Sequence, residues 1–79
     1  MTPHPIEPTA IQLRILRDMK RGAKLRASEY RTLLGGVVVA EQDEAMMRHE
    51  GWIDFDEATR TYTLGVAGLM ILERMEQQT

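Results

Sequence analysis

The absence of cysteine is the feature that most constrains this 79-residue chain. A domain of this size buries only about 60 to 68 per cent of its unfolded surface, and small domains often compensate with disulfides or thiolate-bound metals. Neither is available here, so stability must come from one packed core and, where packing falls short, from self-association. Hydrophobic residues make up 43% and charged residues 28% of the chain, a balance typical of a folded globular protein.

The first ten residues do not have the pattern of a signal peptide. These residues, MTPHPIEPTA, lack the basic and apolar regions of a signal peptide, and no apolar run approaches the roughly 20 residues that span a bilayer. We therefore expect a cytoplasmic protein without membrane contact. Pro3, Pro5 and Pro8 remove three backbone donors, which predicts a flexible tail over residues 1–8 and a single domain over residues 9–77.

Charge divides unevenly along the chain. Residues 1–31 hold seven Lys/Arg and three acidic residues, a balance of +4, whereas residues 32–79 hold three Arg and nine acidic residues, a balance of −6. This division favours a basic patch that meets phosphate and an acidic face that does not. An equally weighted alternative is a pair of solvated helix faces without a partner.

A first helix is predicted from Thr9, as its N-cap, to about Arg21, where Gly22 ends it. Its apolar stripe recurs about every four residues and consists of Ile11, Ile15, Leu16 and Met19. At 100° per residue the opposite side carries a basic ridge, made of Arg14, Arg17, Arg21 and Lys24, and Leu13 projects on that same outer side.

Two more helices are predicted in the middle of the chain. Ser28 is expected to cap a short helix from Glu29 to Leu34, which the turn Gly35-Gly36 ends. Three valines at positions 37–39 are too few to assert a strand, and the following AEQDEAMMRHE has the composition of a third helix that ends near Gly51.

A hairpin and a last helix complete the predicted domain. Residues 52–55 and 61–64 alternate with period two around the polar segment DEATR, with Ile53, Phe55, Tyr62 and Leu64 on one face. From about Val66 to Gln77 the apolar residues surround the helix axis, so one neighbouring core cannot cover them all. This pattern predicts a homodimer through Leu69, Leu72 and Met75; the alternative is that they pack on the first helix.

Two segments resemble the winged helix-turn-helix family: His49-Glu50-Gly51-Trp52-Ile53, and Tyr62-Thr63-Leu64-Gly65-Val66-Ala67-Gly68. In that family a glycine ends the recognition helix before the first wing strand, and a similar Tyr-x-Leu segment leads the second strand into the last helix. The resemblance covers residues 9–75 and implies a mainly α domain with three helices, a two-stranded wing and a C-terminal helix. It departs from the family at Gly65, where a threonine N-cap is common.

The resemblance implies a small DNA-binding regulator of transcription, but the third helix has the wrong sign for groove binding. Its first turn carries Glu41, Asp43 and Glu44, which complement the helix dipole yet repel a polyanion. Binding of double-stranded DNA therefore needs cations from elsewhere. The candidate DNA-binding residues are Arg14, Arg17, Arg21, Lys24, Arg26, Arg31, Arg48 and Arg60.

The competing hypothesis is a protein-interaction or inhibitory module. In this reading Glu41, Asp43 and Glu44 dock on a basic protein partner, and mimicry of a nucleic acid is a minor third reading. Catalysis is not expected, because two histidines, one serine, no cysteine and no asparagine leave no set of nucleophile, base and orienting residue. No metal or cofactor is expected either, since neither His/Cys ligand spacing nor a glycine-rich phosphate loop is present.

Overall fold

The computed structural model describes residues 6–77. This part of the chain forms three helices and five strands: α1 Ala10–Lys20, β1 Leu25–Ala27, β2 Thr32–Leu34, β3 Val37–Val39, α2 Glu41–His49, β4 Ile53–Asp56, β5 Thr61–Leu64 and α3 Val66–Gln77. Of the predicted tail over residues 1–8, residues 1–5 lie outside the described residues, and residues 6–8 have no regular secondary structure.

The strands form one antiparallel sheet in the order β3-β2-β1-β5-β4. Strands β1, β2 and β3 are joined in sequence by tight turns, β4 and β5 form a second hairpin, and β1 pairs with β5 to unite the two parts. The prediction of a mainly α winged helix-turn-helix domain with a two-stranded wing is therefore wrong. The structure contains three strands that were not predicted, β1, β2 and β3, each three residues long. With β4 and β5 they make a five-stranded sheet, so the fold is α+β.

The predicted second helix, residues 29–34, is replaced by a turn and strand β2. Ser28 accepts a hydrogen bond from the Arg31 backbone N–H at 3.2 Å, as an N-cap would, but it also donates to the Arg31 carbonyl at 2.7 Å. These bonds close the turn between β1 and β2. Gly35 and Gly36 have φ of 56° and 89°, the positive values of a type I′ turn, so they join β2 to β3 instead of ending a helix.

Helix α1 has the predicted N-cap but a different buried side. Thr9 and Gln12 form a reciprocal capping box, which fixes the start of the helix. Gln12, Ile15 and Leu16 are buried, whereas Ile11 is 64% exposed. Leu13, which was expected to project outward, packs against the core. The buried side of α1 is thus formed by Gln12, Ile15 and Leu16. Gln12 can be buried because its side chain has hydrogen-bond partners in the protein interior.

The core lies between the three helices and one face of the sheet. Within residues 6–77 it contains nine large buried apolar residues: Ile15, Leu16, Leu25, Val39, Met47, Trp52, Ile53, Tyr62 and Leu72. The predicted hairpin is confirmed, since Ile53 pairs with Leu64 and Phe55 pairs with Tyr62, with their rings 4.9 Å apart. The predicted last helix is confirmed as α3, whose Gly68 packs directly on the Trp52 backbone.

Candidate nucleic-acid interface

The sheet has one covered face and one open face. Cross-strand partners share a face, so the register that buries Leu25, Tyr62 and Ile53 under the helices turns the alternate residues the other way. Among the described residues, no helix packs on this open face. From one edge of the sheet to the other it carries Val38, Leu33, Arg26, Thr61 and Thr63, Asp54 and Asp56.

Three cations meet on this face above β1. Lys24, Arg26 and Arg60 line one shallow depression of about 590 Å³, together with Ser28 and Thr59. Lys24 and Arg26 alternate along the chain, which places both side chains on the same side of the strand. None of the three forms an ion pair with another residue of the described chain within 4.0 Å. We call Lys24, Arg26 and Arg60 the sheet cluster.

The backbone holds Arg60 beside β1. Its carbonyl oxygen accepts a hydrogen bond from the Ala27 N–H at 2.9 Å, which ties the β4–β5 turn to the neighbouring strand. Arg60 has φ of 57°, an uncommon conformation for a residue with a Cβ. Thr59 and Thr61 flank it, with their hydroxyl oxygens 2.6 Å apart. The site therefore combines guanidinium and ammonium donors with hydroxyl groups, the set that commonly contacts phosphate oxygens.

The basic ridge of α1 occupies a different surface. Arg14 and Arg21 are exposed and Arg17 is half-buried, on the side of α1 that faces away from the core. Near the ridge, Lys20 pairs with Glu76 at 3.7 Å. The fourth predicted member of the ridge, Lys24, belongs instead to the sheet cluster. The sequence prediction grouped Lys24 with the ridge of α1, whereas the fold places it with Arg26 and Arg60 on the sheet.

The remaining two candidate DNA-binding residues do not join either group. Arg31 is exposed in the turn between β1 and β2. Arg48 lies at the end of α2 over the ring of Phe55, with its guanidinium carbon 5.3 Å from the ring centroid. Burial raises the pKa of the Tyr62 hydroxyl, the Glu44 carboxylate raises it further, and Arg48 opposes the shift. Arg48 therefore connects α2 to the β4–β5 hairpin through Phe55 and Tyr62.

The three acidic residues of α2 serve different purposes. Asp43 accepts a hydrogen bond from the Gln12 side-chain amide at 3.1 Å, which links α2 to α1. Glu44 is half-buried and interacts with the Tyr62 hydroxyl. Glu41 is exposed. Because α2 packs with Met47 in the core, these carboxylates lie on the helical side of the sheet, and the sheet cluster lies on the opposite side.

The predicted dimer residues of α3 do not form one exposed face. Leu72 is fully buried in the core, Met75 is half-buried and Leu69 is partly exposed. The apolar residues that α3 exposes are Val66, Leu69 and Met70. Leu72 is therefore unavailable to a partner in this structure.

Thr59, Thr61 and Ser28 are the site residues that sequence reasoning missed. The alternation in Thr61-Tyr62-Thr63-Leu64 already placed Thr61 opposite the core side, which was the available signal for this residue. No group of three or more potential metal-ligating side chains occurs within residues 6–77. Nor does any helix in that range have the length and apolar character needed to traverse a lipid bilayer.

Comparison of the chain with protein-family models, with curated proteins and with solved structures gave no match. The resemblance to winged helix-turn-helix proteins thus rests on two short segments alone, and the fold that it implied is not the one observed.

Proposed function

We propose that this protein binds double-stranded DNA through phosphate contacts made by the sheet cluster. The observation that carries the proposal is the convergence of Lys24, Arg26 and Arg60 on one uncovered face, without an ion pair to any described residue. Cations held in this way release counterions from DNA when they bind, which is the main source of sequence-independent affinity. Regulation of transcription is the wider role we propose for such binding.

The position of the acidic residues supports this site over α2. The carboxylates of α2 and the sheet cluster lie on opposite sides of the sheet, so they do not meet the same phosphates. On the open face itself, Asp56 is two strands away from Arg26. Two strand spacings are about 10 Å, roughly one Debye length at 0.1 M salt. The repulsion between Asp56 and a phosphate bound at Arg26 is therefore partly screened by salt.

The experiment is fluorescence anisotropy of a labelled 20-base-pair duplex between 25 and 200 mM KCl. Three phosphate contacts predict a slope of log affinity against log salt of about −2.7, at roughly −0.9 per contact. Each of Lys24→Gln, Arg26→Gln and Arg60→Gln should reduce the magnitude of the slope by about one unit. Lys20→Gln is the matched control, because Lys20 is engaged with Glu76 and should leave the slope unchanged.

A second set of variants identifies the surface. If Arg14→Gln, Arg17→Gln and Arg21→Gln together abolish binding while the sheet-cluster variants do not, DNA binding stands but its site is the ridge of α1. A wild-type protein that does not bind the duplex at 25 mM KCl, where electrostatic attraction is strongest, refutes the proposed function.

The alternative function, docking on a basic protein partner, is favoured by one observation. Tyr30, which is 87% exposed, lies beside Glu41 and Glu44 around a depression between the β1–β2 turn and α2. Exposed aromatic residues next to carboxylates suit contact with a cationic partner. Glu41→Gln separates the two functions, because it should weaken the binding of a basic partner and slightly strengthen the binding of DNA. Asp43 is less suitable for this test, since its carboxylate already accepts a hydrogen bond from Gln12.

A further inference from the structure

The two edges of the sheet are protected differently. Edge strand β4 carries Asp54 and Asp56, charged residues of the kind that discourage pairing with a second sheet. The opposite edge, β3, consists of Val37, Val38 and Val39, with neither charge nor proline, and no described residue pairs with its outer side. β-branched residues have high strand propensity, so β3 is well suited to pair with another strand.

The turn before β3 determines which backbone groups are free. In a two-residue type I′ hairpin the flanking residues, Leu34 and Val37, form a hydrogen-bonded pair. Hydrogen-bonded and non-hydrogen-bonded pairs alternate along an antiparallel ladder, so Val38 opposite Leu33 is non-hydrogen-bonded. The N–H and C=O of Val38 therefore point away from β2, toward the open edge.

An apolar groove accompanies this edge on the helical side of the sheet. It lies between α1 and β3, has a volume of about 480 Å³, and is lined by Ile11, Ile15, Leu34, Val37 and Val39. Ile11 is 64% exposed and Val37 is 69% exposed. Val38, on the open face, is 55% exposed. The free strand edge is thus flanked by uncovered apolar surface on both faces.

We propose that β3 pairs with β3 of a second copy of this chain to form a symmetric dimer with a continuous ten-stranded sheet. A two-fold axis at Val38 pairs this residue with itself and pairs Val37 with Val39 of the second copy. The Val38 residues then exchange two backbone hydrogen bonds, and Gly36 and Ala40 occupy the next outward-facing positions. The strand is self-complementary, because three identical side chains have the same pattern in both directions.

Charge at the groove favours a second copy over a strongly charged partner. Arg14 and Asp18 line the α1 side of the groove one helical turn apart and have opposite signs. A two-fold axis reverses the direction of α1 in the second copy, so the cationic end of one rim faces the anionic end of the other. Asp43 also lines the groove, but its carboxylate already accepts the Gln12 amide.

The test is sedimentation equilibrium of the wild-type chain from 10 μM to 1 mM. The paired strand is short, so we expect a weak dimer with a dissociation constant of about 0.1 mM. Val38→Pro removes the outward N–H and leaves the bonds to β2 in place, and it should weaken the dimer by at least tenfold. Val38→Lys should do the same by adding charge to the edge, whereas Thr63→Lys, at an exposed site on β5, is the matched control and should have no effect.

Hydrogen exchange locates the interface independently of the variants. At a dissociation constant of about 0.1 mM the monomer fraction is about 20 per cent at 1 mM and about 85 per cent at 10 μM, so the Val38 amide should exchange about fourfold more slowly at 1 mM, whereas exchange of the Leu25 amide, in the centre of the sheet, should not depend on concentration. Circular dichroism and Trp52 fluorescence verify folding, and if Val38→Pro does not fold, Val38→Lys decides the question.

Two results would overturn the proposal. One is a monomer throughout the concentration range, whether or not a different chain uses the edge. The other is a dimer that both Val38 variants leave intact. In that case Leu69→Glu with Met70→Glu tests whether the exposed side of α3 is the interface instead.

Discussion

Replacement of Gln12 by glutamate tests the contact that joins α1 to α2. The Gln12 side chain is buried, its Nε2 donates to Asp43 Oδ1 at 3.1 Å, and its Oε1 accepts the Thr9 N–H at 3.0 Å. Glutamate has the same shape and keeps the acceptor for Thr9. It loses the amide donor and brings a second carboxylate within about 3 Å of Asp43, the distance that the amide now spans.

The expected cost follows from this distance. At an effective dielectric constant of about 20, two unit charges 3.1 Å apart repel each other by about 5 kcal/mol. Protonation limits the cost, because protonating a glutamate with an ordinary pKa of about 4.3 requires roughly 3.7 kcal/mol at pH 7, and the protonated group can donate to Asp43. We therefore expect Gln12→Glu to destabilise the fold by about 3 to 4 kcal/mol at pH 7, out of a total of about 4 to 12 kcal/mol.

The pH dependence distinguishes this mechanism from a simple packing defect. The pKa of the introduced carboxyl is raised in the folded state, so stability is retained below its unfolded pKa and lost as pH rises through the folded pKa. The cost should accordingly fall from about 3.7 kcal/mol at pH 7 to about 1 kcal/mol at pH 5, at roughly 1.36 kcal/mol per pH unit. Urea unfolding at both pH values, followed by Trp52 fluorescence and circular dichroism, measures the difference.

A second substitution provides the control. Asp43→Asn in the Gln12→Glu background exchanges donor and acceptor, so the pair can form again without two charges. We expect the double variant to recover to within about 1 kcal/mol of the wild type, with Asp43→Asn alone measured to complete the cycle. A loss of stability that does not depend on pH, or that the second substitution fails to restore, would refute the proposed contact.

Three further predictions concern α3, the hairpin and its turn. Gly68→Ala should cost about 1 to 3 kcal/mol in urea unfolding despite a better helix propensity, because the new Cβ overlaps the Trp52 carbonyl; an unchanged midpoint contradicts this close packing. Burial and Glu44 raise the pKa of Tyr62, so wild-type stability should decrease as pH rises above about 10, and Tyr62→Phe should lack this component in unfolding measured from pH 8 to 11. Arg60→Gly should raise stability by about 1 kcal/mol in thermal melts by relieving the positive φ, and should weaken DNA binding; a loss of stability would show that the arginine side chain holds the turn.

The C-terminal half of the fold could be predicted from the sequence because its signals are local and consistent. Residues 52–55 and 61–64 alternate strictly, and the structure pairs Phe55 with Tyr62 on the buried face as the alternation requires. Helix α3 likewise follows from its apolar content between Val66 and Gln77. Helices α1 and α2 were also predicted, α2 as the third helix of the sequence analysis. The buried side of α1 was predicted incorrectly, because Ile11 was expected to face the core and is exposed.

Strands β1 to β3 were not predicted because their local signals favour two structures. Ser28 makes a contact with the backbone three residues later in both a capped helix and the observed turn. Three-residue strands are too short to show a period, and their stability comes from the neighbouring strands. The Gly35-Gly36 pair between apolar residues was the missed hairpin signal. Likewise, the cations of the candidate site were identified individually, but their separation into two surfaces depends on strand pairing that no local pattern contains.

The pairing of β1 with β5 has a consequence for how the chain folds. Only two residue pairs, Leu25–Tyr62 and Arg26–Thr61, form this ladder, and Leu25 and Tyr62 are 37 positions apart in sequence. The meander on one side and the hairpin on the other close through short turns, events that take about 1 to 10 μs for a hairpin. Pairing of the β1–β3 meander with the β4–β5 hairpin requires closure of a much longer loop that contains α2. The entropy of closing this loop is lost before the stabilising contacts of the core can form. We therefore expect formation of the β1–β5 ladder, the shortest ladder among the described strands, to be the late, rate-limiting step of folding.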